Sequence, residues 1–260
     1  GLGDVYKRQI ADMWMRETEK LKKDEDCQRV FLKQNKPFSA GELHFQPELA
    51  KTMREIAKNG REGFYNGWVA EDIVKKLNSI GGRHTLNDFA KLEVSYVEPI
   101  FSHYRDYKVF ECPPNGQGIV ALMILNILQE FDISSLGPDS FERIHLEAEA
   151  TKIAFHHRNK FLGDPKFSNI PVEKLLSREY SKKLSKMINF KSTINNLEIL
   201  PLQNNKDTVY ISVIDKDRNC VSFINSIFHP FGSGILTPNS GILLHNSCLL
   251  YTSPSPRDNR

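Results

Sequence analysis

The stretch that decides the fold is TVYISVIDKDRNCVSFINSI, residues 208–227. Residues 208–214 and 220–227 are rich in β-branched and aromatic side chains, and the polar segment 215–219 separates them. Two such runs around a short polar connection are typical of a β-hairpin. In a three-residue hairpin loop, Arg218 would have to adopt a positive φ angle, a conformation in which glycine is more common.

The register of this hairpin follows from the centre of its turn. If the turn is centred on Asp217, residues equally far from it along the chain face each other, and Thr208 lies opposite Ser226. The two hydroxyl side chains then share one face, within hydrogen-bonding reach. Because a strand alternates between its faces, the other face carries apolar side chains that we expect to be buried, namely Val209, Ile211 and Val213.

Glycine residues divide the segment that follows, FGSGILTPNSGILLHNS, residues 231–247. Gly232, Gly234 and Gly241 predict tight turns. The apolar run 242–244 between the last glycine and a polar end predicts a further strand.

Upstream, hydrophobic spacing and turn residues predict a largely helical chain with one more hairpin. Residues 10–36 are strongly charged and predict a helix followed by a solvated loop. The other predicted helices are 47–59, 68–80, a short helix from Thr85 with Asp88 in a capping box, 118–131, 141–161 and a polar stretch within 169–200. The predicted strands are 99–102 and 107–111.

The composition is that of an ordinary globular protein. The chain has 260 residues, of which 40% are hydrophobic and 26% charged, so a disordered, collagen-like or coiled-coil protein is excluded. The net charge is +3, and basic residues alternate with acidic ones, which argues against a nucleic-acid partner. The longest apolar run, 118–128, contains Asn126 and is too short to span a membrane.

Three patterns that could suggest a cofactor are explained more simply by structure. His145, Glu149 and His156 share a predicted helix face, but eleven residues rise about 16 Å, too far for one metal ion. Residues 115–118 provide G-x-G without a third glycine, which indicates a tight turn rather than a nucleotide site. The cysteines of the central chain are scattered and predict neither disulfides nor zinc: Cys27, Cys112 and Cys220. We therefore expect no metal and no cofactor.

The two ends of the chain match each other as complementary DNA. GLGDVYKRQ (1–9) and CLLYTSPSPRD (248–258) resemble a transposon-end sequencing adapter translated from its two strands. Back-translation of the first segment gives a reverse complement that, read one base along, encodes CLLYTSPSP, residues 248–256. We therefore expect 1–9 and 248–260 to be adapter-like artefacts that pack against nothing, and residues 10–247 to be a native part truncated at both ends. The alternative is a flexible N-terminus with a disordered Ser/Pro tail.

The ordered motifs resemble the γ-glutamyltranspeptidase family. Residues 207–222, 231–235 and 240–244 resemble the start of its small subunit. Motifs upstream are similar to its large subunit: FYNG at 64–67, the paired glycines 81–82, the prolines 113–114 with Gly118, residues 147–155 and GDP at 163–165. The resemblance extends over about residues 41–246.

This resemblance implies an α+β chain that forms part of the αββα sandwich of N-terminal-nucleophile hydrolases. Residues 10–207 would be the C-terminal part of the large subunit, and residues 208–247 the start of the small, catalytic subunit. The precursor would cut itself between Asp207 and Thr208. Thr208 would then serve as nucleophile, with its own α-amine, of pKa about 7.7–8.0, as the base. Ser226 stands where the family has a Thr that hydrogen-bonds the nucleophile.

The implied activity is γ-glutamyl transfer or hydrolysis on glutathione-like γ-glutamyl amides, without a metal or cofactor. The implied partners are a glutathione-like small molecule or peptide acceptor, and the large and small subunits of one precursor. The resemblance implies a periplasmic or secreted protein, and the cytoplasm stays open. The family's Arg for the substrate carboxylate would precede residue 10 and its oxyanion-hole glycines would follow residue 247, so we expect the fragment alone to be inactive.

Departures from the family pattern leave the acyl group open. Phe228 stands where relatives have an Asn that contacts the amino-acid end of the substrate, and Val209 and Tyr210 replace a Thr and a His. Phe228 and Asn246 are the residues that we expect in the substrate pocket. One alternative is an acylase or amidase of the same fold with another acyl group. A second is a non-catalytic α/β binding protein in which Thr208 is an ordinary strand residue.

Overall fold

The computed structural model describes residues 8–195, 197 and 209–247. This part of the chain is a mixture of helices and strands, as the sequence predicts. The helices are α1 (Arg8–Arg16), α2 (Thr18–Leu21), α3 (Glu25–Phe31), α4 (Pro47–Asn59), α5 (Glu62–Tyr65), α6 (Trp68–Ser79), α7 (Leu86–Ala90), α8 (Gly118–Leu128), α9 (Phe141–Phe161), α10 (Val172–Leu176) and α11 (Arg178–Ser185). The strands are β1 (Ile100–Tyr104), β2 (Tyr107–Glu111), β3 (Val209–Ile214) and β4 (Cys220–Asn225).

Local signals place the limits of α4 and the start of α7 where the sequence predicts them, whereas α8 ends at Leu128 and not at residue 131. Pro47 occupies the first turn of α4, and Gly60 ends that helix with a φ of 57°. Thr85 and Asp88 form the predicted capping box of α7, in which the Asp88 carboxylate accepts a 2.7 Å hydrogen bond from the Thr85 amide. The polar stretch 169–200 was expected to be one helical region, but it forms the two short helices α10 and α11, separated at Ser177.

The described residues divide into two compact units. The first joins residues 8–94 to residues 209–247, and the second consists of residues 95–195 and 197. The first unit therefore combines segments that lie on either side of the expected cleavage site.

The second unit is built on α8 and α9. Helix α8 is apolar on nearly all sides, and its buried side chains pack against those of α9, α10 and α11. Asn126 is the polar exception within α8, and its amide donates hydrogen bonds to Ser102 Oγ at 3.0 Å and to the Leu176 carbonyl at 3.1 Å. These bonds satisfy a side chain that is 3% exposed.

The first unit buries an aromatic cluster in the charged N-terminal segment. Residues 10–36 form α1 to α3 rather than one helix and a solvated loop, so that prediction is wrong. The apolar faces of these helices contribute Trp14, Leu21, Cys27 and Phe31 to a core that also includes Leu236. The hydrophobic pattern of residues 10–36 did not reveal this core, because charged residues occupy the positions between the buried ones.

The β3–β4 hairpin is exposed on both faces within the described part of the chain. Val209, Ile211 and Val213 were expected to be buried, but their side chains are 58%, 45% and 52% exposed. Strand alternation decides which side chains share a face, whereas burial requires a second layer, and no such layer covers this two-stranded sheet among the described residues. The αββα layering therefore stays a prediction.

Two further expectations concern the chain ends and a third strand. Arg8 and Gln9, at the end of the first adapter-like segment, are exposed residues of α1; residues 1–7 and 248–260 lie outside the described part. The predicted strand 242–244 makes one isolated bridge, Leu236 with Leu243, and is otherwise an irregular segment. No helix in the described ranges is both long and apolar enough to cross a membrane.

Candidate active site

The register predicted for the hairpin is confirmed. Val209 pairs with Asn225, Tyr210 with Ile224 and Ser212 with Ser222, and each pair is centred on Asp217. Asp207 and Thr208 lie outside the described residues, so the contact between Thr208 and Ser226 stays a prediction.

The turn of the hairpin is organised by Asp215. Its carboxylate accepts hydrogen bonds of 2.8 Å from the backbone amides of Asp217 and Asn219 and from the Asn219 side chain. The Asn219 bonds hold the pKa of Asp215 below its ordinary value. Arg218 has a φ of 64°, which confirms the positive angle expected for this loop.

Directly after β4, the chain makes a tight turn at Ser226 and Phe228. The Oγ atom of Ser226 accepts a 3.0 Å hydrogen bond from the Phe228 amide. Phe228 has a φ of 76° and is 7% exposed, and its ring stacks on His229 with 4.4 Å between centroids. A residue expected in the substrate pocket is therefore largely shielded from solvent by its neighbours.

Asn246 and His229 are hydrogen-bonded to each other. The Oδ1 atom of Asn246 accepts from the His229 amide at 3.2 Å, and its Nδ2 atom lies 2.6 Å from His229 Nδ1. Because Oδ1 accepts from the backbone amide, the amide nitrogen of Asn246 is the atom that faces the His229 ring. The structure thus gives Asn246, the second residue expected in the substrate pocket, a role in shaping the turn.

The segment 230–247 is attached to the N-terminal helices by side chains from those helices. Lys20 Nζ donates a 2.6 Å hydrogen bond to the Pro230 carbonyl, and Cys27 Sγ donates one of 3.2 Å to the Gly234 carbonyl. Burial, with a contribution from the nearby Asp24 carboxylate, raises the pKa of Cys27 to about 12. The thiol therefore stays protonated and able to donate.

Asp72 accepts four hydrogen bonds from this segment, and sequence patterns did not predict this role. Its carboxylate accepts from the Asn239 amide at 3.0 Å and the Asn239 side chain at 2.7 Å, and from the amide and hydroxyl of Ser240, both at 2.7 Å. Burial alone would raise the pKa of Asp72, but the bonds from Asn239 and Ser240 hold it below its ordinary value. The available signal was an acidic residue among the apolar positions Val69, Ala70 and Ile73 of α6.

Lys76 continues the same face of α6 and binds α3. Its Nζ atom lies 2.8 Å from Asp24 Oδ2 and 2.7 Å from Asp26 Oδ2, and its side chain is 12% exposed. Asp24 in turn accepts from the Leu236 amide at 3.4 Å. One helix face thus connects α3 to the segment after β4.

The residues considered for a metal site, His145, Glu149 and His156, all lie on α9. Residues 8–195, 197 and 209–247 contain no group of three or more His, Cys, Asp or Glu placed to hold an ion. His145 Nε2 lies 3.0 Å from the Asn189 carbonyl, and the Glu149 carboxylate accepts from Lys152 and from the Ile194 amide, both at 2.8 Å. One of these hydrogen bonds lies within α9, and the other two join α9 to residues 189 and 194.

The chain is similar to known proteins along most of its length. The glutathione hydrolase-like YwrD proenzyme of Bacillus subtilis is 38% identical over 220 residues, which are 84% of this chain and 41% of that protein. The glutathione hydrolase proenzyme of Escherichia coli is 36% identical over 235 residues, 88% of this chain and 40% of that protein. The chain thus spans about 40% of the length of these curated relatives.

Solved structures give the same picture of the fold. Cephalosporin acylase from Bacillus halodurans superimposes with a TM-score of 0.83 at 33% identity, over 96% of this chain and 46% of that chain. The γ-glutamyltranspeptidase of Helicobacter pylori gives a TM-score of 0.69 at 32% identity, over 73% of this chain and 55% of that chain. The family model described as Gamma-glutamyltranspeptidase matches residues 3–259, and the chain therefore belongs to the gamma-glutamyltranspeptidase family.

Proposed function

We propose that the protein is a proenzyme that cuts itself before Thr208 and then transfers or hydrolyses γ-glutamyl groups of glutathione-like amides. The observation that carries this proposal is the register of β3 and β4, which is centred on Asp217. If the pairing continues by one more residue, Thr208 faces Ser226. Membership of a family whose relatives are named glutathione hydrolase proenzymes supports the same assignment.

The proposed self-cleavage needs one nucleophile and one water molecule. The Oγ atom of Thr208 attacks the carbonyl carbon of Asp207 and displaces the Thr208 nitrogen, which forms an ester and a free amine. Water then hydrolyses the ester, so that Asp207 becomes a carboxylate and Thr208 regains its hydroxyl. The product is a chain whose first residue carries a nucleophile and an α-amine base side by side.

Turnover uses the same two groups. The α-amine of Thr208 takes the hydroxyl proton while Oγ attacks the γ-glutamyl carbonyl, and the leaving amine receives that proton. An α-amine pKa of about 7.7–8.0 leaves part of the amine unprotonated near neutral pH. The acyl ester is resolved by water or by the amine of an acceptor amino acid or peptide. Ser226 is proposed to orient the nucleophile through its hydroxyl.

An acylase acting on another acyl amide is the second candidate, and Phe228 favours it. The side chain is apolar and 7% exposed at the position expected to contact the amino-acid end of a γ-glutamyl group. An apolar group there cannot replace the hydrogen bonds of an Asn. The similarity to cephalosporin acylase and, at 30% identity, to the Acylase ACY 1 proenzyme of Pseudomonas sp. points in the same direction.

Intact mass measurement of the full-length gene product tests the proposal. We expect two chains, the smaller beginning at Thr208, and a single uncut chain for Thr208→Ala. Thr193→Ala is the matched control, because it removes a threonine hydroxyl from an exposed position before the expected cut and should leave cleavage unchanged. Cleavage at the same bond in Thr208→Ala would refute the proposed nucleophile. An uncut wild-type chain would favour the binding-protein alternative.

A further inference from the structure

We propose that Asp72 is a clasp that holds residues 230–247 on the N-terminal helices once the chain has been cut before Thr208. The inference rests on the proposed self-cleavage and assigns Asp72 a role in the cleaved protein. It concerns the first unit alone, in which residues 8–94 pack with residues 209–247.

The clasp collects four donors on one buried carboxylate. Asp72 is 6% exposed, and its four hydrogen bonds come from two consecutive residues, Asn239 and Ser240. Three of the donors converge on Oδ2, and the Asn239 side chain binds Oδ1. Hydrogen bonds to an ionised acceptor are about twice as strong as neutral ones. By comparison, a single hydrogen bond to the segment 230–247 comes from each of Lys20, Asp24, Cys27, Arg29 and Thr52.

Neighbouring hydroxyls extend the clasp into a small network. The Ser240 hydroxyl donates to Asp72, so its oxygen is free to accept from Thr237 Oγ1 at 2.6 Å. Thr52 Oγ1, on α4, donates to the Ser240 carbonyl at 2.8 Å. Thr52, Thr237 and Ser240 are all fully buried. Ser240 is thus held through its amide, its hydroxyl and its carbonyl at once.

The hydrogen bonds made by Asp72 and Thr52 cross the expected cleavage site. Asp72 and Thr52 precede it in the chain, and the residues that they bind follow it. Before cleavage the covalent chain holds residues 209–247 near their partners at a high effective concentration. Cleavage frees the N-terminal end of this segment, and noncovalent contacts alone must then keep it in place. Loss of Asp72 would leave four donors without this acceptor, and two of them belong to the fully buried Ser240.

The clasp also bears on the expected active site. Asn246 belongs to the segment that Asp72 holds, and it accepts a hydrogen bond from the His229 amide. Ser226 and Phe228, which are hydrogen-bonded to each other, directly precede His229 in the chain. A free end that detached from the helices would move the partner of the proposed nucleophile. Asp72 is therefore a positioning residue and is not proposed to contact substrate.

Hydrogen exchange of the full-length protein, cut and uncut, tests the inference. In the cut form, we expect Asp72→Ala to raise exchange at the Asn239 and Ser240 amides at least about 100-fold. In the uncut Thr208→Ala background, we expect a rise of about tenfold, because the tether remains. Asp72→Asn should give a smaller effect than Asp72→Ala, since an amide oxygen still accepts from three donors and the Asn239 side chain can turn to accept from the new amide.

Glu149→Ala is the matched control. Glu149 is a buried carboxylate, 2% exposed, and its partners Lys152 and Ile194 both precede the cut. Its loss should raise exchange around α9 equally in cut and uncut protein, and should leave the amides of 239 and 240 unchanged. Equal effects of Asp72→Ala in the cut and uncut forms, or none in either, would overturn the clasp.

The test separates the clasp from the proposed function. If the wild-type chain does not cut itself, the self-cleavage proposal fails, and the clasp is then tested with a protease site in place of residues 203–206 in the Thr208→Ala background. A difference between protease-cut and uncut Asp72→Ala supports the clasp without self-cleavage. If self-cleavage occurs and that difference is absent, the clasp alone is wrong.

Discussion

Gly241 packs against the backbone of Leu49, at the start of α4. A Cβ atom on Gly241 would lie 2.6 Å from the Leu49 nitrogen and 3.0 Å from the Glu48 Cβ atom. The φ angle of Gly241 is 64°, a conformation that side chains disfavour. Glycine is therefore favoured at position 241 for two independent reasons, the close approach of the α4 backbone and the positive φ angle.

Replacement of Gly241 by alanine should destabilise the first unit by about 2 kcal/mol or more, because both the contact and the backbone angle become unfavourable. Urea unfolding of the full-length, uncut Thr208→Ala protein measures the change. Gly137→Ala is the control, since its Cβ would meet no atom closer than 3.8 Å and its φ is not positive. A shift of the midpoint by Gly137→Ala as large as that by Gly241→Ala would contradict the structural reason.

His44 is expected to make stability depend on pH. Its ring contacts those of Trp14 and Phe38 at centroid distances of 5.0 and 4.9 Å, and both ring nitrogens are buried without a hydrogen-bond partner in the described part. Burial lowers the pKa of His44. The unfolded chain, with a His pKa of about 6.5, therefore binds a proton at a pH where the folded chain does not.

The resulting contribution is fully present above about pH 6.5 and is lost as the pH falls from there towards the folded pKa. Between pH 7.5 and 5.5 we expect a loss of at most about 1.4 kcal/mol from this residue. Urea midpoints of the wild type and of His44→Phe, followed by tryptophan fluorescence, measure it. The variant should lose less stability on acidification than the wild type; identical pH dependence would refute the role of His44.

Phe228→Asn should shift the substrate preference towards γ-glutamyl amides. Asn supplies the hydrogen-bonding group that the family resemblance implies at this position, and Asn also tolerates the observed φ of 76° better than Phe. We expect the ratio of kcat/KM for a γ-glutamyl anilide to that for an unsubstituted acyl anilide to rise about tenfold or more. Phe228→Leu is the control, because it keeps an apolar side chain; a rise in this ratio with Phe228→Leu as large as that with Phe228→Asn would count against the assignment.

Substitutions of Arg218 test whether the stability of the hairpin turn depends on the positive φ angle at this position. Arg218→Gly should stabilise the loop by about 0.5 kcal/mol, since the relief of a positive φ exceeds the entropy that glycine loses on folding. Arg218→Val should destabilise it by about 1 kcal/mol or more, because a β-branched residue is least suited to this angle. Hydrogen exchange of the β3 and β4 amides ranks the three proteins, and an order in which Val is the most stable would be inconsistent with the turn.

Features that depend only on residues close together in the sequence could be predicted from the sequence. The limits of α4 and α9, the capping box at Thr85 and the register around Asp217 each follow from spacing or turn chemistry within a few residues. The positive φ of Arg218 was predictable for the same reason, because the loop length demands it. Such features are set by backbone geometry, which the local sequence determines.

Tertiary structure alone decided which of these residues are buried and which polar groups meet. The sequence assigned Val209, Ile211 and Val213 to one face, but the second layer that would bury that face is not present in the described chain. Asp72 and Ser240 are 168 residues apart, and no periodic pattern relates them. A long-range hydrogen bond depends on where two whole segments are brought together by their apolar faces, so its partners become known only once the chain is packed.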